Sequence, residues 1–367
     1  WPNKEIEKAP VWCSVDLRDG NQALVEPMVV EEKVEMFNLL VKLGFKEIEV
    51  GFPAASQIEY DFLRTLVDRK LIPDDVEVQV LVQCREHLIK RTFEALKGIK
   101  KAIVHIYNST STLQRDVVFH KDMDEIKDIA IVGTKMVQRY AAECDTKIRL
   151  EYSPESFTGT ELDFALDICT AVQEEWQPTP EKKMIINLPA TVEMTTPNVY
   201  ADQIEWMNHH FKDRDSIILS IHPHNDRGTG IAATELALLA GAERVEGTLL
   251  GNGERTGNVP LEAMGFEYAS LRGSLDGMDT TVITEIADYF KNEIGYNIPP
   301  MTPFVGSAFN VTRAGVHADG LMKDEEIYTI FDTKKILNKP ATVQISKTSG
   351  LAGVAYWINQ TYGLEDG

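Results

Sequence analysis

Ile217-Ile-Leu-Ser-Ile-His-Pro-His-Asn-Asp-Arg-Gly228 joins an apolar, β-branched run to two imidazoles spaced two residues apart. The run Ile217–Ile221 reads as a buried parallel strand. In a strand, residues i and i+2 point to the same side, so His222 and His224 reach one point in space together. From Arg227 to Gly241 the spacing of Ala232, Leu236 and Leu239 predicts a helix that Gly241 stops. Two histidines where a strand turns towards a helix make a metal site that wants an anionic third ligand. On its own the pair is equally well read as strand-end histidines in ordinary hydrogen bonds.

Outward from this stretch, strand-like and helix-like segments alternate along the chain, the pattern of a parallel α/β fold. The strands are expected at Val11–Arg18, Glu47–Phe52, Val76–Gln83, Ala102–Tyr107, Lys147–Tyr152, Lys183–Leu188, the histidine strand and Arg244–Leu250. Helices are expected at Val30–Val41, about Ser56–Arg69, Leu88–Leu96, Asp124–Glu143 and Glu161–Glu175, with Leu261–Leu271 as the last. Eight units fit a (β/α)8 TIM barrel over residues 1–275, with residues 276–367 as a smaller C-terminal subdomain or lid. A doubly wound open sheet does not need eight units, and no Gly-x-Gly-x-x-Gly follows the first strand. After about residue 275 a helix is expected near Val282–Ile294, and the Gly-rich stretch Phe304–Gly320 carries few helix signals.

The 367 residues carry 37 basic and 57 acidic side chains, a formal charge of −20, which argues against nucleic acid or an anionic membrane as a partner. Four scattered cysteines (Cys13, Cys84, Cys144, Cys169) without a CxxC favour a reduced cytoplasmic protein. No signal peptide and no apolar run long enough to span a bilayer is expected.

Active sites of such barrels lie at the carboxyl ends of the strands, so the polar residues there form one set. Arg18, Asp19 and Gln22 follow strand one, His105 lies on four, and Ser153 and Glu155 follow five. Asn187 and Thr191 are on six, the two histidines on seven, and Asn258 follows eight. Asp19, His222 and His224 supply one carboxylate and two nitrogens, a donor set for Zn, Mn or Fe, with Mg less favoured by imidazole. Asp19 is otherwise a turn-capping carboxylate. Arg18 can stabilise charge developing on a carbonyl oxygen, or pair with a carboxylate such as Glu49. Glu155, after Pro154, can orient or act as a base; otherwise it is a loop glutamate. Gly251–Asn258, with its glycines, Glu254 and an arginine, reads as a wall for substrate or cofactor. His317 alone reads as a surface histidine.

Six stretches together resemble the 2-isopropylmalate synthase family: Asp16-Leu-Arg-Asp-Gly-Asn-Gln22, Glu49–Pro53, Tyr152-Ser-Pro-Glu-Ser156, Asn187–Glu193, His222-Pro-His-Asn-Asp226 and Gly251–Asn258. The wider group is the metal-dependent Claisen-condensing barrels, with homocitrate and citramalate synthases and hydroxymethylglutaryl-CoA lyases. The resemblance runs from Trp1 to about Phe266 and, more loosely, from Gly306 to Gly353. It implies an acyltransferase in which acetyl-CoA, the co-substrate, loses a methyl proton and attacks a 2-oxo acid, after which thioester hydrolysis releases CoA. It also implies a divalent metal (Mg, Mn or Zn) on Asp19, His222 and His224, with Asn258 supporting a metal-bound water. Arg18 would share the alkoxide charge, Thr191 would hold the substrate carboxylate, and Glu155 with His317 would be the base. A homodimer, with the subdomain of one chain over the barrel of the other, is implied as well.

For the substrate tail the resemblance implies a pocket of Leu81, His105, Ser153, Asn187 and Pro189, which favours 2-oxoisovalerate and leucine biosynthesis. The tail region departs from the family. Ala314–Lys323 looks more like homocitrate-type enzymes, and Asn338-Lys-Pro340 stands where a tyrosine is expected, with Tyr328 the nearest candidate. A C-terminal leucine-binding regulatory domain is missing from this sequence. These departures keep open a dicarboxylic 2-oxo acid, as in Re-type citrate or homocitrate synthases, with Arg313 facing the extra carboxylate. A non-catalytic, metabolite-binding barrel is the reading from another class; a binder, however, needs no base.

Overall fold

In the computed structural model, which describes residues 1–265, 277–347 and 349–364, eight parallel strands pair in chain order and close into a barrel. They are β1 (Val11–Ser14), β2 (Glu47–Gly51), β3 (Glu77–Gln83), β4 (Lys101–Ser109), β5 (Lys147–Glu155), β6 (Met184–Ala190), β7 (Ile217–Pro223) and β8 (Arg244–Gly247). Closure comes from β1 on β8, with Val11 opposite Arg244 and Ser14 opposite Gly247. The expected TIM barrel is therefore present.

Helices α1 (Val30–Leu43), α2 (Gln57–Asp68), α3 (Glu86–Leu96), α4 (Met123–Ala142), α5 (Leu162–Trp176), α6 (Pro197–His210) and α7 (Gly230–Leu239) connect the strands. Their ends carry local signals. Ser56 caps α2 by accepting from the Glu59 amide at 3.3 Å, and Asp122 and Glu125 form a reciprocal capping box on α4. The sequence pattern showed no helix at α6, whose buried Tyr200, Ala201, Ile204 and Met207 are interleaved with acidic and amide side chains. Its start is set by Pro197 in the first turn. The expected last helix, Leu261–Leu271, runs into residues 266–276, which lie outside the described residues.

Two strand ends differ from the pattern in ways that place the site. β1 stops at Ser14 rather than Arg18, because the amides of Arg18, Asp19 and Gly20 all turn back onto the Val15 carbonyl (3.2, 2.9 and 3.2 Å). The result is a wide π turn over Asp16–Gly20, a form that recurs at functional sites. β5, expected to end at Tyr152, continues through Pro154 to Glu155. Its pairing with β6 covers Glu151 and Tyr152, whereas its pairing with β4 runs to Glu155. Pro154 thus sits where one edge is unpaired, and its missing N–H breaks no rung.

The chain divides into two compact units, Trp1–Val41 with Phe45–Leu261, and Lys42–Gly44 with Glu262–Gly367. The division falls at Leu261, whose amide bonds back to Thr248 at 2.9 Å, rather than at residue 275. The second unit contains α8 (Val282–Asn292), α9 (Gly315–Lys323), α10 (Thr333–Leu337), α11 (Gly350–Tyr362) and a parallel pair, β9 (Val311–Thr312) with β10 (Thr342–Val343). Glycines 315 and 320 hid α9 from the pattern. It is helical because Ala318 and Leu321 pack in a small core with Val343 and Tyr356, and tertiary burial overrides propensity. No described helix is long and apolar enough to cross a membrane.

Candidate active site

The π turn after β1 and the end of β7 bring Asp19, His222 and His224 together, all buried, with one ligand atom from each lying within 4.8 Å of the others. Asp19 Oδ2 faces His222 Nε2 at 3.0 Å and His224 Nε2 at 3.7 Å. Its other oxygen is held by Arg18 Nη1 (3.1 Å) and Gln22 Nε2 (3.0 Å), which leaves Oδ2 for the shared point. The Gly251–Asn258 loop is laced to the end of β7 by Asn225 N–H to the Gly257 carbonyl (2.9 Å) and Val259 N–H to that of Pro223 (3.0 Å). Gly257, at φ +94°, lies so close to the Gly251 carbonyl that a Cβ there would overlap it. This lacing seats Asn258 Nδ2 at 2.7 Å from Asp19 Oδ2 and 3.1 Å from His222 Nε2.

These residues fit a divalent cation. One carboxylate oxygen and two imidazole nitrogens meet at one buried point, and Asn258 and His224 each also keep a buried side-chain atom, Oδ1 and Nδ1, without a hydrogen-bond partner. His222 Nδ1 bonds to Glu246 Oε2 at 2.8 Å, which turns Nε2 towards the shared point, the usual carboxylate support for a metal-binding imidazole. Burial works to raise the Asp19 carboxyl, but Arg18 and the two imidazoles outweigh it and hold it well below the usual carboxylate range. His222 goes the other way: burial opposes its charge, yet hydrogen bonds to Asp19 and Glu246 push it up to about 9. Burial, followed by repulsion from His222, pushes His224 down to about 4.

Beneath this group the barrel interior is charged. Arg244, wholly buried, reaches Glu47 Oε2 (2.6 Å), Ser220 Oγ (2.9 Å), Glu246 Oε1 (3.0 Å) and Gln79 Oε1 (2.7 Å). Gln79 spends its two N–H groups on Glu49 Oε2 (2.6 Å) and Glu246 Oε1 (2.8 Å). Glu49 also takes Arg18 Nε, so Arg18 forms the expected ion pair while still lining the cavity. Although burial favours protonation of both Glu49 and Glu246, Arg18 and His105 beside the first and Arg244 and His222 beside the second hold them below the usual range. Glu151, with neither oxygen hydrogen-bonded, is pushed well above it by burial. Glu49, His105 and Glu246 also converge closely enough to hold an ion, but Arg18, Gln79 and Arg244 already occupy their carboxylates.

Above these groups opens a cavity of about 690 Å³. The five residues expected around the substrate tail, Leu81, His105, Ser153, Asn187 and Pro189, all line it. Glu155 and Thr191 stand on its wall, as do Gln22 and Glu254 near the exposed rim. Thr191 Oγ1 accepts the Ser156 amide at 2.9 Å, which leaves its own proton to donate. Its carbonyl is held by Arg255 Nη2 at 2.6 Å.

His317, Arg313 and Tyr328 belong to the second unit. His317 is exposed on α9, with its ring 4.5 Å from that of Tyr328. Arg313 Nε donates to Gln344 at 2.9 Å. All four cysteines are free thiols.

The sequence reading missed Gln79, Glu151, Arg244 and Glu246 as parts of the site, and Ser109, whose hydroxyl donates to Glu155 Oε2. A signal was present: Glu47 with Glu49, Glu151 with Ser153, and Arg244 with Glu246 repeat the two-residue spacing that marked His222 and His224.

The HMGL-like family model matches residues 9–289, and the chain belongs to that family. Within it the chain is similar to the 2-isopropylmalate synthase of Rhizobium johnstonii, at 53% identity over 377 residues, covering 99% of this chain and 67% of that protein. The 2-isopropylmalate synthase of Brucella suis biovar 1 is 52% identical over 377 residues (99% and 68% covered), and that of Clostridium acetobutylicum 50% over 380 (99% and 68%). Among solved structures, the hydroxymethylglutaryl-CoA lyase of Pseudomonas aeruginosa superposes with a TM-score of 0.66 at 18% identity, over 83% of this chain and 98% of that one. The Brucella melitensis HMG-CoA lyase gives 0.62 at 16%, over 79% and 100%. These two likenesses bear on the fold.

Proposed function

We infer that this chain is an acyltransferase that joins acetyl-CoA to 2-oxoisovalerate, releasing 2-isopropylmalate and CoA, a step of leucine biosynthesis. The cation site is Asp19 Oδ2, His222 Nε2 and His224 Nε2, with Asn258 beside them. A divalent metal held there supplies Lewis-acid polarisation of the oxo carbonyl. Mg, Mn and Zn are the candidates that the family resemblance implies, and the two imidazoles favour Zn and Mn over Mg. Thr191 donates its free hydroxyl proton to the substrate carboxylate. Arg18, oriented by Glu49 and Asp19, stabilises the charge that gathers on the oxo oxygen as the new bond forms. A methyl group beside a thioester is a very weak acid, so a placed base is required. Glu155 takes that proton, with His317 of the second unit as its proposed partner. The methyl carbon then bonds to the oxo carbon as the carbonyl π pair moves to oxygen, that oxygen takes up a proton to become the product hydroxyl, and water adds to the thioester carbonyl and breaks its C–S bond, giving the carboxylate and CoA.

The observation that carries the choice of oxo acid is the polarity of the tail pocket. His105 lies between Glu49 (3.0 Å from Nδ1) and Ser153 (2.7 Å from Nε2), and Ser153 Oγ also accepts from Asn187 Nδ2 at 3.0 Å, so the three polar residues are bonded to one another and to Glu49. With Leu81 and Pro189, these residues offer no arginine or lysine to a second carboxylate, which supports a branched apolar tail. The free thiols support a reducing, cytoplasmic setting; homodimerisation follows the family resemblance.

The test is CoA release by metal-supplemented protein given acetyl-CoA with 2-oxoisovalerate, oxaloacetate, 2-oxoglutarate or pyruvate. Preference for 2-oxoisovalerate is expected. Preference for oxaloacetate or 2-oxoglutarate would transfer the function to a citrate- or homocitrate-type reaction, and silence with all four would favour a binding-only barrel.

A further inference from the structure

We propose that Ser109 is a positioning residue for this reaction: it fixes the carboxylate of Glu155 so that one oxygen faces the acetyl methyl group. The inference rests on reading Glu155 as the base.

β4 and β5 pair along their whole length, and the last rung sets Ser109 opposite Glu155. Ser109, 7% exposed, donates its hydroxyl to Glu155 Oε2. One residue on, Thr110 bonds to the Glu155 carbonyl through both its amide (3.1 Å) and its hydroxyl (3.2 Å). On the other side Ser156 turns at once into a left-handed conformation, φ 59°, and its amide is tied to Thr191. The backbone of Glu155 is thus fixed by Thr110 just after β4, that of Ser156 by Thr191 just after β6, and Ser109 fixes the end of a side chain that otherwise rotates about three bonds. A base displaced by an ångström loses much of its rate advantage.

The type of partner matters as much as its place. Asp19, Glu49 and Glu246, the other carboxylates of this mouth, are each held by an arginine that depresses their basicity. Among the described residues Glu155 has no ion pair with lysine, arginine or histidine, and its side-chain contact is a neutral hydroxyl. One serine bond to Oε2 orients the group, and Oε1 remains for the substrate proton.

The experiment compares wild type, Ser109→Ala, Ser109→Thr, Glu155→Gln and the double variant Ser109→Ala/Glu155→Gln as metal-loaded full chains. Readouts are kcat, KM for 2-oxoisovalerate, metal content, and the isotope effect when the acetyl methyl carries deuterium. Ser109→Ala should lower kcat about tenfold and raise the isotope effect, because proton removal becomes slower, with metal content and KM unchanged. Ser109→Thr should restore both values, and Ser109→Ala should add nothing to Glu155→Gln. An unchanged isotope effect and kcat in Ser109→Ala would overturn the proposal, as would an equal loss in the Glu155→Gln background. Full turnover by Glu155→Gln would instead remove the base itself, a separate failure of the underlying reading.

Discussion

His222 and His317 were both read from the sequence as parts of one site, yet the fold treats them differently. His222 is buried on β7 with a carboxylate on each ring nitrogen, Glu246 on one side and Asp19 on the other. His317 is exposed on a nine-residue helix and touches the ring of Tyr328. The first position is over-determined by its own unit, so its chemistry follows from local geometry. The second is free to be recruited, and its chemistry depends on what meets it. A barrel mouth can therefore be derived from one chain's strands, whereas a helix-borne histidine contributes only a candidate.

The sharpest way to break this contrast is His222→Ala. Losing one imidazole from a three-residue cation site should abolish retained metal and lower turnover at least about 10⁴-fold, equivalent to about 5 kcal/mol. Metal content after gel filtration and CoA release measure the two losses, and chelator-stripped wild type should match the variant. Full activity in stripped protein would sink the Lewis-acid role.

One layer lower, Arg244→Leu tests whether the mouth rests on its charged floor. The substitution leaves Glu246 and Glu151 buried without their guanidinium, and Glu47 with Arg149 alone. Breaking a buried network from one side costs about 3–5 kcal/mol. Urea unfolding should show that loss, and a change under about 1 kcal/mol would mean that the carboxylates are neutralised in another way.

The same contrast marks what was legible beforehand. Parallel strands buried on both faces read as continuous apolar runs, so eight strands in order and the mouth residues at their ends could be found. The interior charges were visible as residues but not as partners. Arg244 meets Gln79 across 165 positions and Glu47 across 197, and only closure of the barrel brings them together. The π turn that presents Arg18 and Asp19 depends on one carbonyl, that of Val15, accepting three amides, which no side-chain pattern encodes. Glu155 looked like a loop residue because proline usually ends strands; it is a strand residue because β6 leaves that edge free. α9 was hidden by its glycines, since the small apolar core that folds it draws on residues as distant as Tyr356.

The smallest expected effect on the fold belongs to His317→Ala, and it bears most directly on the contrast. An exposed side chain tilted against one half-exposed tyrosine contributes little to folding, so the unfolding free energy from urea titration should change by no more than about 0.5 kcal/mol. Retained metal should be unchanged, because none of the cation-site residues lies in the second unit. Turnover is the discriminating quantity. Loss of a partner in proton removal should lower kcat by about 100-fold, the low end of what general acid–base groups supply. A stable, metal-loaded variant with wild-type turnover would take His317 out of the mechanism and leave Glu155, held by Ser109, to act without it. A stable variant with the expected loss would show that a histidine without structural duty is kept for chemistry, the reverse of His222, in which structure and chemistry cannot be separated by substitution.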